Sequence, residues 1–546
     1  MKVDRNTPSS KNHCRFCIIL LVLVLLASGC IKVGPDYVRP SPRVSETWLE
    51  TGDQRVKTEA AEYRNWWQAF NDPVLDRLID RAYRENLTLK IAGVRVLEAR
   101  AQLGIAVGEL YPQTQQAFGS LQYNRTSESA PQAGVLPLGR GAVEPSRNPL
   151  QQYWQSEIGL SAIWELDFWG KFRRGIESAD ASWLATVADY DNVLVSLTGD
   201  VANVYILIRT LEKRIEIARQ NVETQRESLK IAEVRLRYGT VSQLDVEQAR
   251  TVLNNTLASV PSLEAQLQQA KNALSILLGL PPSHLADVLE STSEIPVSPP
   301  QVVVGIPADL LRRRPDIRSA EQQAAAQCAL IGVAKADLYP AFSLTGTFGF
   351  LSSDVGTFKL SDMFDWKSRF AQAGPSVTWN ILNYGRIMNN ARVQDARFEG
   401  LLIAYQSTVL KAQQEVEDAL VAFLRAQERA EFLAQSAAAA KRSLDLAVLQ
   451  YRQGTKDFTT VLIAQQTLLT EQDNLANTLG QISTNLVAVY RALGGGWEIR
   501  EGKDLVPPEI KEEMANRTRW GKLLAPPSYI PPVPEEPKPL IRLPDW

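Results

Sequence analysis

The chain has 546 residues and a formal net charge of −2 at pH 7. That balance offers no basic surface to a nucleic acid. The length would suit two to four ordinary domains, and repeats rather than composition settle how it is divided.

In chain order, the first element is a leader. Lys2, Arg5, Lys11 and Arg15 form a positive region ahead of the apolar run Ile18 to Leu26. That run is far shorter than the roughly 20 residues a membrane-spanning helix needs. It ends in Leu26-Ala27-Ser28-Gly29-Cys30, small residues before a Cys, which resembles a bacterial lipobox. Residues 1–29 are therefore expected to be removed and Cys30 to be acylated. Residue 31 is Ile rather than Asp, which permits sorting to an outer membrane. Removal takes away four basic residues and Asp4, so the mature charge is about −5. Cys14 and Cys17 leave with the leader. Cys328 stays alone in an Ala/Gln-rich stretch, where a small packing residue is the simplest reading. No intrachain disulfide is expected.

The remainder is written twice. Residues 79–112 align without gaps on 307–340 at an offset of 228, with Tyr111-Pro112 on Tyr339-Pro340. Later segments align at 215: Trp164 on Trp379, Trp169-Gly170-Lys171 on Tyr384-Gly385-Arg386, and Gly239-Thr240 on Gly454-Thr455. The change of 13 places an insertion in the first copy, within the Ser/Pro/Gly/Asn-rich stretch Asn124 to Asn148, as suits an exposed loop. Each repeat reads as helix, two strands, a very long helix, a turn and a returning helix.

The long helix carries a sustained heptad, from Trp183, Val187, Tyr190 and Leu194 to Ala232 and Leu236, interrupted only at Gln225. Its second copy runs from Phe398 and Leu402 to Ala447 and Tyr451. Such a register predicts coiled-coil packing. From Gly170 to Leu236 is roughly 100 Å at about 1.5 Å per residue. The helix preceding the strands (about 80–110) and the returning helix (to about Leu280) together match that length, so a two-layer antiparallel column follows. Pro261 is expected to bend the returning helix slightly.

Between helices the period switches to two. Phe342, Leu344, Gly346, Phe348 and Phe350 alternate with Ser343, Thr345, Thr347 and Gly349. Trp154, Ile158, Leu160, Ala162 and Trp164 share one parity, in which Ser156 is the weak member. Strands are expected at about 113–124, 153–165, 341–350 and 371–380. Alternation alone fits a membrane barrel and a soluble half-buried sheet equally well. The lipid anchor and flanking helices favour the barrel. Four strands cannot close one, and open edges are not tolerated in lipid, so other copies must complete it.

The run Ile31-Lys32-Val33-Gly34-Pro35-Asp36-Tyr37-Val38-Arg39-Pro40 resembles the opening of the TolC-like outer-membrane efflux lipoproteins, in their NodT/OprM-type branch. Further matches are Trp66-Trp67 with Phe70-Asn71-Asp72-Pro73-Val74-Leu75, the paired Tyr-Pro dipeptides, Asn383-Tyr384-Gly385-Arg386, and Ala492-Leu493-Gly494-Gly495-Gly496-Trp497. They cover the mature chain to about residue 500. The resemblance implies a mainly α fold with a membrane β-barrel portion. It implies a homotrimer with a twelve-stranded barrel, an α-helical periplasmic tunnel and an equatorial belt from about 41–75, 281–308 and the part after 497. It implies a passive exit duct of a tripartite pump, held by outer-membrane lipid through acylated Cys30. The implied partners are a periplasmic adaptor and an inner-membrane transporter of the resistance-nodulation-division class. The expected divisions are a lipidated segment at 30–75, repeat one at 76–280, a linker at 281–306, repeat two at 307–497 and a Pro-rich tail at 498–546, extended from Ala525 onward.

The hairpin tips, 237–245 and 452–460, are the expected working parts. Gly239 and Gly454 permit the reversals, and Thr240 and Thr455 or neighbouring hydroxyls can cap the next helix. A tight helical turn explains the same residues. By resemblance, Arg237, Asp245, Arg452, Lys456, Asp457, Phe458 and Thr459 are candidates for closing the periplasmic end and meeting the adaptor. Several relatives place a Leu and, four residues later, an Asp at the positions of Thr459 and Ile463; this chain has neither, so no such gate is assigned to those two.

Catalysis finds no support. His284 is the one His of the mature chain, in a Pro-Pro-Ser-His-Leu loop. No phosphate-cradling loop, nucleophile elbow or zinc-spaced set appears, and no cofactor or metal is expected. Two rivals stand: a lipid-anchored periplasmic coiled-coil scaffold or adaptor, which needs no barrel strands, and a lipid-anchored hydrolase, which needs a catalytic constellation.

Overall fold

The computed structural model describes residues 32–59, 63–125, 152–282, 285–289, 294–354 and 359–525. Cys30, His284, the 126–151 stretch and the tail from 526 lie outside the described residues. The helices are α1 (Pro73–Glu85), α2 (Leu87–Gly108), α3 (Lys171–Arg237), α4 (Gln243–Leu277), α5 (Pro315–Ala336), α6 (Arg386–Arg452), α7 (Phe458–Ala492) and α8 (Pro508–Arg517). The strands are β1 (Val56–Lys57), β2 (Thr114–Arg125), β3 (Gln152–Leu166), β4 (Val302–Val303), β5 (Ala341–Ser353) and β6 (Arg369–Thr378).

The duplication is visible to the residue. Helices α3 and α6 have 67 residues each and start 215 positions apart; α4 and α7 have 35 each at the same offset. Helices α2 and α5 have 22 each at an offset of 228. A helix of 67 residues is about 100 Å long. It holds together because its heptad face is buried: Val187, Leu194, Val201, Ile208 and Leu211 in α3, and Tyr405, Val409, Val416 and Phe423 in α6. Helix α3 contains a window apolar enough to cross a membrane, but that window is 67% buried within the bundle. Its apolar surface is spent on neighbouring helices. Helix α4 continues through Pro261.

One expected helix divides. The sequence reads as continuous helix from about 80 to 110, but Asn86 turns extended (ψ 124°) and separates α1 from α2. Its side chain accepts from the Leu89 amide at 2.9 Å, capping α2. Arg314, the repeat-equivalent residue, is extended in the same way (ψ 121°) before Pro315 opens α5. Two helices joined by a capped break look like one helix when only periodicity is read.

The four long strands form one antiparallel sheet in the order β2-β3-β5-β6. The duplicated pairs β2-β3 and β5-β6 join through β3 and β5, with Leu160 opposite Phe348. Strands β2 and β6 are free edges. The core has two parts: a large one around the equator, reaching towards the tips as far as Ala218 and Leu263, and a smaller one at the far end built on Ala232, Val246, Leu444, Tyr451, Phe458 and Val461. A polar layer divides them, in which Gln465 Nε2 donates to Ser228 Oγ at 2.7 Å and Asn221 Nδ2 to Gln472 Oε1 at 2.9 Å. Gln225, the lone heptad interruption, is buried in that layer.

The segments around the equator meet. Strand β1 pairs parallel with β4. Trp48 Nε1 donates to Gly305 O at 3.0 Å, and Tyr63 Oη to Val303 O at 3.2 Å. Arg500 and Arg318 converge on Asp191, which is fully buried, and both guanidinium groups lie against the Trp497 ring. Burial pushes the Asp191 carboxyl up and the arginines pull it back. Helix α8, beyond Trp497, is an element the sequence reading did not foresee; Pro507 and Pro508 start it rather than prevent it.

Candidate functional site: a two-faced sheet and the hairpin tips

Directly paired residues of antiparallel strands share a face. The pairs Tyr123↔Trp154, Ile158↔Phe350, Leu160↔Phe348 and Trp164↔Leu344 therefore put one apolar face across the sheet. Leu121, Trp154, Ile158, Leu160, Phe348 and Val377 on it are all exposed. The opposite face carries Gln116, Ser120, Gln155, Glu157, Ser161, Thr345, Thr347 and Gln372, with Phe118 and Phe370 leaning over Gly159 and Gly349. An apolar surface of this extent marks contact with lipid or a partner.

Aromatics bound the apolar face at two levels. Tyr123 and Trp154 pack with ring centroids 5.2 Å apart at the end far from the helices. At the near end, Trp164 Nε1 donates to Leu110 O and Trp379 Nε1 to Leu338 O, both at 3.1 Å. These two bonds are copies of one another under the repeat. Trp154 and Trp164 are ten residues apart on β3, about 33 Å along the strand at about 3.3 Å per residue. At the usual tilt of about 40° this becomes roughly 25 Å along the membrane normal, the height of a barrel's apolar band.

Ser156, the weak member of the apolar parity, is now explained. It pairs with Ser352, and residues 359–368 fold over both.

The N-terminal segment docks where sheet meets helices. The Val33 amide donates to Trp169 O at 3.0 Å. Arg174, buried, reaches Val33 O and Gly34 O at 3.1 Å each, and pairs with Asp36 at 2.9 Å. A Cβ on Gly34 (φ +95°) would stand 2.5 Å from Gly332 Cα, so the passage requires glycine. Cys30 precedes Lys32 by two residues, a reach of at most about 7 Å. From there the segment descends along α6, where the Ser45 amide meets Gln413 and the Leu49 amide meets Glu417.

At the far end, the two tips are near copies. Gly239 (φ +69°) and Gly454 (φ +73°) make the reversals, and Thr240 Oγ1 and Thr455 Oγ1 donate to Arg235 O and Gln450 O at 3.0 Å each. Asp245 is occupied locally, closing a capping box with Ser242. Phe458 is buried in the tip core against Tyr451, 5.0 Å between centroids. Arg237, Arg452, Lys456, Asp457 and Thr459 are exposed.

A residue that bonds one tip to the other was not among those candidates. Arg235 Nη1 donates to Tyr451 O at 2.6 Å, and its guanidinium lies 4.5 Å from the Tyr451 ring. Burial pushes the Tyr451 hydroxyl above its usual range, with Arg235 opposing. Under the repeat, Arg235 corresponds to Gln450 and Tyr451 to Leu236, so the contact has no counterpart. Heptad reading could not find it, because Arg235 sits beside the seam rather than in it. The break in repeat symmetry was the available signal.

Comparison with known proteins agrees with this geometry. The family described as outer membrane efflux protein matches residues 78–280 and 306–495. The solvent efflux pump outer membrane protein SrpC of Pseudomonas putida is 33% identical over 498 residues, covering 89% of this chain and 100% of that protein. The pyoverdine export outer membrane protein OpmQ of Pseudomonas putida is 32% identical over 484 residues, covering 88% and 97%. Among solved structures, the outer-membrane channel OprN superposes with a TM-score of 0.76 at 31% identity, covering 85% of this chain and 99% of that one.

Proposed function

Because the chain belongs to the outer membrane efflux protein family, and is an outer-membrane efflux channel of TolC-like fold, we propose that three copies close one passive duct, with a lipid on Cys30 fixing it in the inner leaflet. The observation that carries this reading is the roughly 25 Å exposed apolar band on an edge-open sheet, mounted on a helical column of about 100 Å. A barrel removes the free edges β2 and β6. Twelve strands and twelve helical staves follow from three copies.

The repeat says how the copies meet. Within one chain, Trp169 of repeat one stacks on Tyr339 of repeat two, 4.6 Å between centroids. The equivalent pair, Tyr384 and Tyr111, cannot form within one chain's open sheet; Tyr384 is 97% exposed. A neighbouring copy supplies Tyr111 to Tyr384, and the seam between copies repeats the seam between repeats.

Transport is downhill through the duct; the energy comes from an inner-membrane transporter of the resistance-nodulation-division class, engaged through a periplasmic adaptor at the tips. Tyr238 and Leu244, exposed at tip one, and the exposed polar residues of tip two are the docking surface. Small organic compounds are the cargo class, in line with relatives named for solvent and pyoverdine export. No catalytic role is ascribed to the chain. The lipid-anchored scaffold reading leaves the apolar band without a purpose.

Purified protein in a planar bilayer tests the reading. Discrete ohmic channels from a heat-dissociable trimer are the expected result. A soluble, non-conducting oligomer from the Cys30→Ala protein would overturn it.

A further inference from the structure

Residues 359–368 form two short turns, Leu360–Phe364 and Trp366–Ser368, between β5 and β6. They do not project from the sheet. Ser156 Oγ donates to Met363 Sδ at 2.9 Å, and Ser352 Oγ to Lys359 O at 2.8 Å. Ser156 and Ser352 belong to the apolar face, so the turns lie against the outside of the wall. They cover the hydroxyls where the apolar band would otherwise be broken.

What the turns present outward is amphipathic. Phe364 is 76% and Trp366 66% exposed, in turns that Met363 seats on Ser156, two residues along β3 from Trp154. Lys359, Lys367 and Arg369 flank the rings and are exposed, outnumbering the exposed Asp365 between the rings; Arg369 lies 4.5 Å from the Trp366 ring and donates to Trp366 O. Among the described residues none of these three makes an ion pair. Asp362 is engaged in the turn, accepting from the Lys359 amide at 3.1 Å and from Ser361 Oγ. Asp354 accepts from the Trp154 amide at 2.6 Å.

We propose that residues 359–369 bind the phosphorylated glycolipid of the outer leaflet. The rings of Phe364 and Trp366 enter the acyl–headgroup boundary, as aromatics at membrane interfaces do. Lys359, Lys367 and Arg369 meet the headgroup phosphates through charge-assisted hydrogen bonds. The site rests on the reading of the apolar face as the lipid-facing wall. A soluble partner is disfavoured because the turns that carry the rings are seated on that band.

The test uses the purified trimer in neutral detergent, with lipid A as probe and native mass spectrometry as readout. Lipid A is expected to be retained, and dephosphorylated lipid A or phosphatidylethanolamine retained at least about tenfold less. The Lys359→Gln/Lys367→Gln/Arg369→Gln protein is expected to lose lipid A retention about tenfold or more, since each lost contact is a charge-assisted one. Trp366→Ser is expected to weaken retention with phosphate selectivity preserved. Equal retention of lipid A by the triple variant, as an intact conducting trimer, would overturn the proposal while leaving the channel reading standing. Displacement of lipid A by millimolar inorganic phosphate would also overturn it, showing a free-anion site instead. Loss of conductance in the unmodified protein would instead strike the channel reading itself.

Discussion

Two residues carry disproportionate weight at the smallest scale. Arg235 ties one hairpin tip to the other through a backbone carbonyl and a ring face. A cation–π contact and a hydrogen bond are each worth about 1 kcal/mol when partly desolvated. Arg235→Ala is therefore expected to shift the closed–open balance of each protomer about five- to thirty-fold toward open, read as a higher time-averaged conductance. Arg237→Ala, at an exposed neighbour without such contacts, is expected to leave conductance unchanged; equal effects from both would remove the latch assignment. At the other end, Val33, Gly34 and Asp36 are held by Arg174 independently of any acyl chain. Cys30→Ala is accordingly expected to impair outer-membrane sorting while leaving trimer formation intact. Membrane fractionation alongside trimer electrophoresis separates the two, and complete loss of trimer would contradict it.

Among elements, the coiled coils matter because they are built in two storeys. The polar layer of Asn221, Gln225, Ser228, Gln465 and Gln472 separates the tip core from the main core. Buried polar layers give up hydrophobic stabilisation in exchange for register. The tip storey can thus shift as a small rigid unit while the upper storey, clamped by Asp191 and its two arginines, stays put. Joining Thr240→Cys to Thr459→Cys with a short cross-linker fastens hairpin one to hairpin two. Efflux is expected to stop, measured as drug accumulation in cells, and to recover when a cleavable linker is cut. Unimpaired export with the cross-link verified would rule out tip separation as the opening step.

The whole molecule carries an open four-stranded sheet with two free edges. Two repeats present Trp169 to Tyr339 internally and leave Tyr384 exposed at the edge. Replacing Tyr111→Cys and Tyr384→Cys and oxidising is expected to give covalent trimers on a denaturing gel, because each copy offers both halves of the pair. Ladders beyond three, or monomers only, would show that copies do not meet as the repeats do.

Much of this was written in the chain. The offsets 228 and 215 returned as equal helices to the residue, because coiled-coil register and strand alternation are local periodic signals that packing obeys. Period two in β3 and β5 located the apolar face, and the anomaly at Ser156 was real. What escaped was non-periodic. The break at Asn86 is one extended residue between two helical stretches, and α8 lies past the last motif. The 359–368 turns look like any polar loop until their position against the wall is known.

The sequence by itself determined the duplication, the lengths of the long helices and the two faces of the sheet, since each follows from repeats and periods that any fold must honour. Only the tertiary structure decided that Arg235 bonds one tip to the other while Asp245 caps its own helix, and that a loop lies on the apolar side of the sheet. Those are contacts between segments distant in the chain, and their partners are set by how the helices and strands pack rather than by any spacing along it.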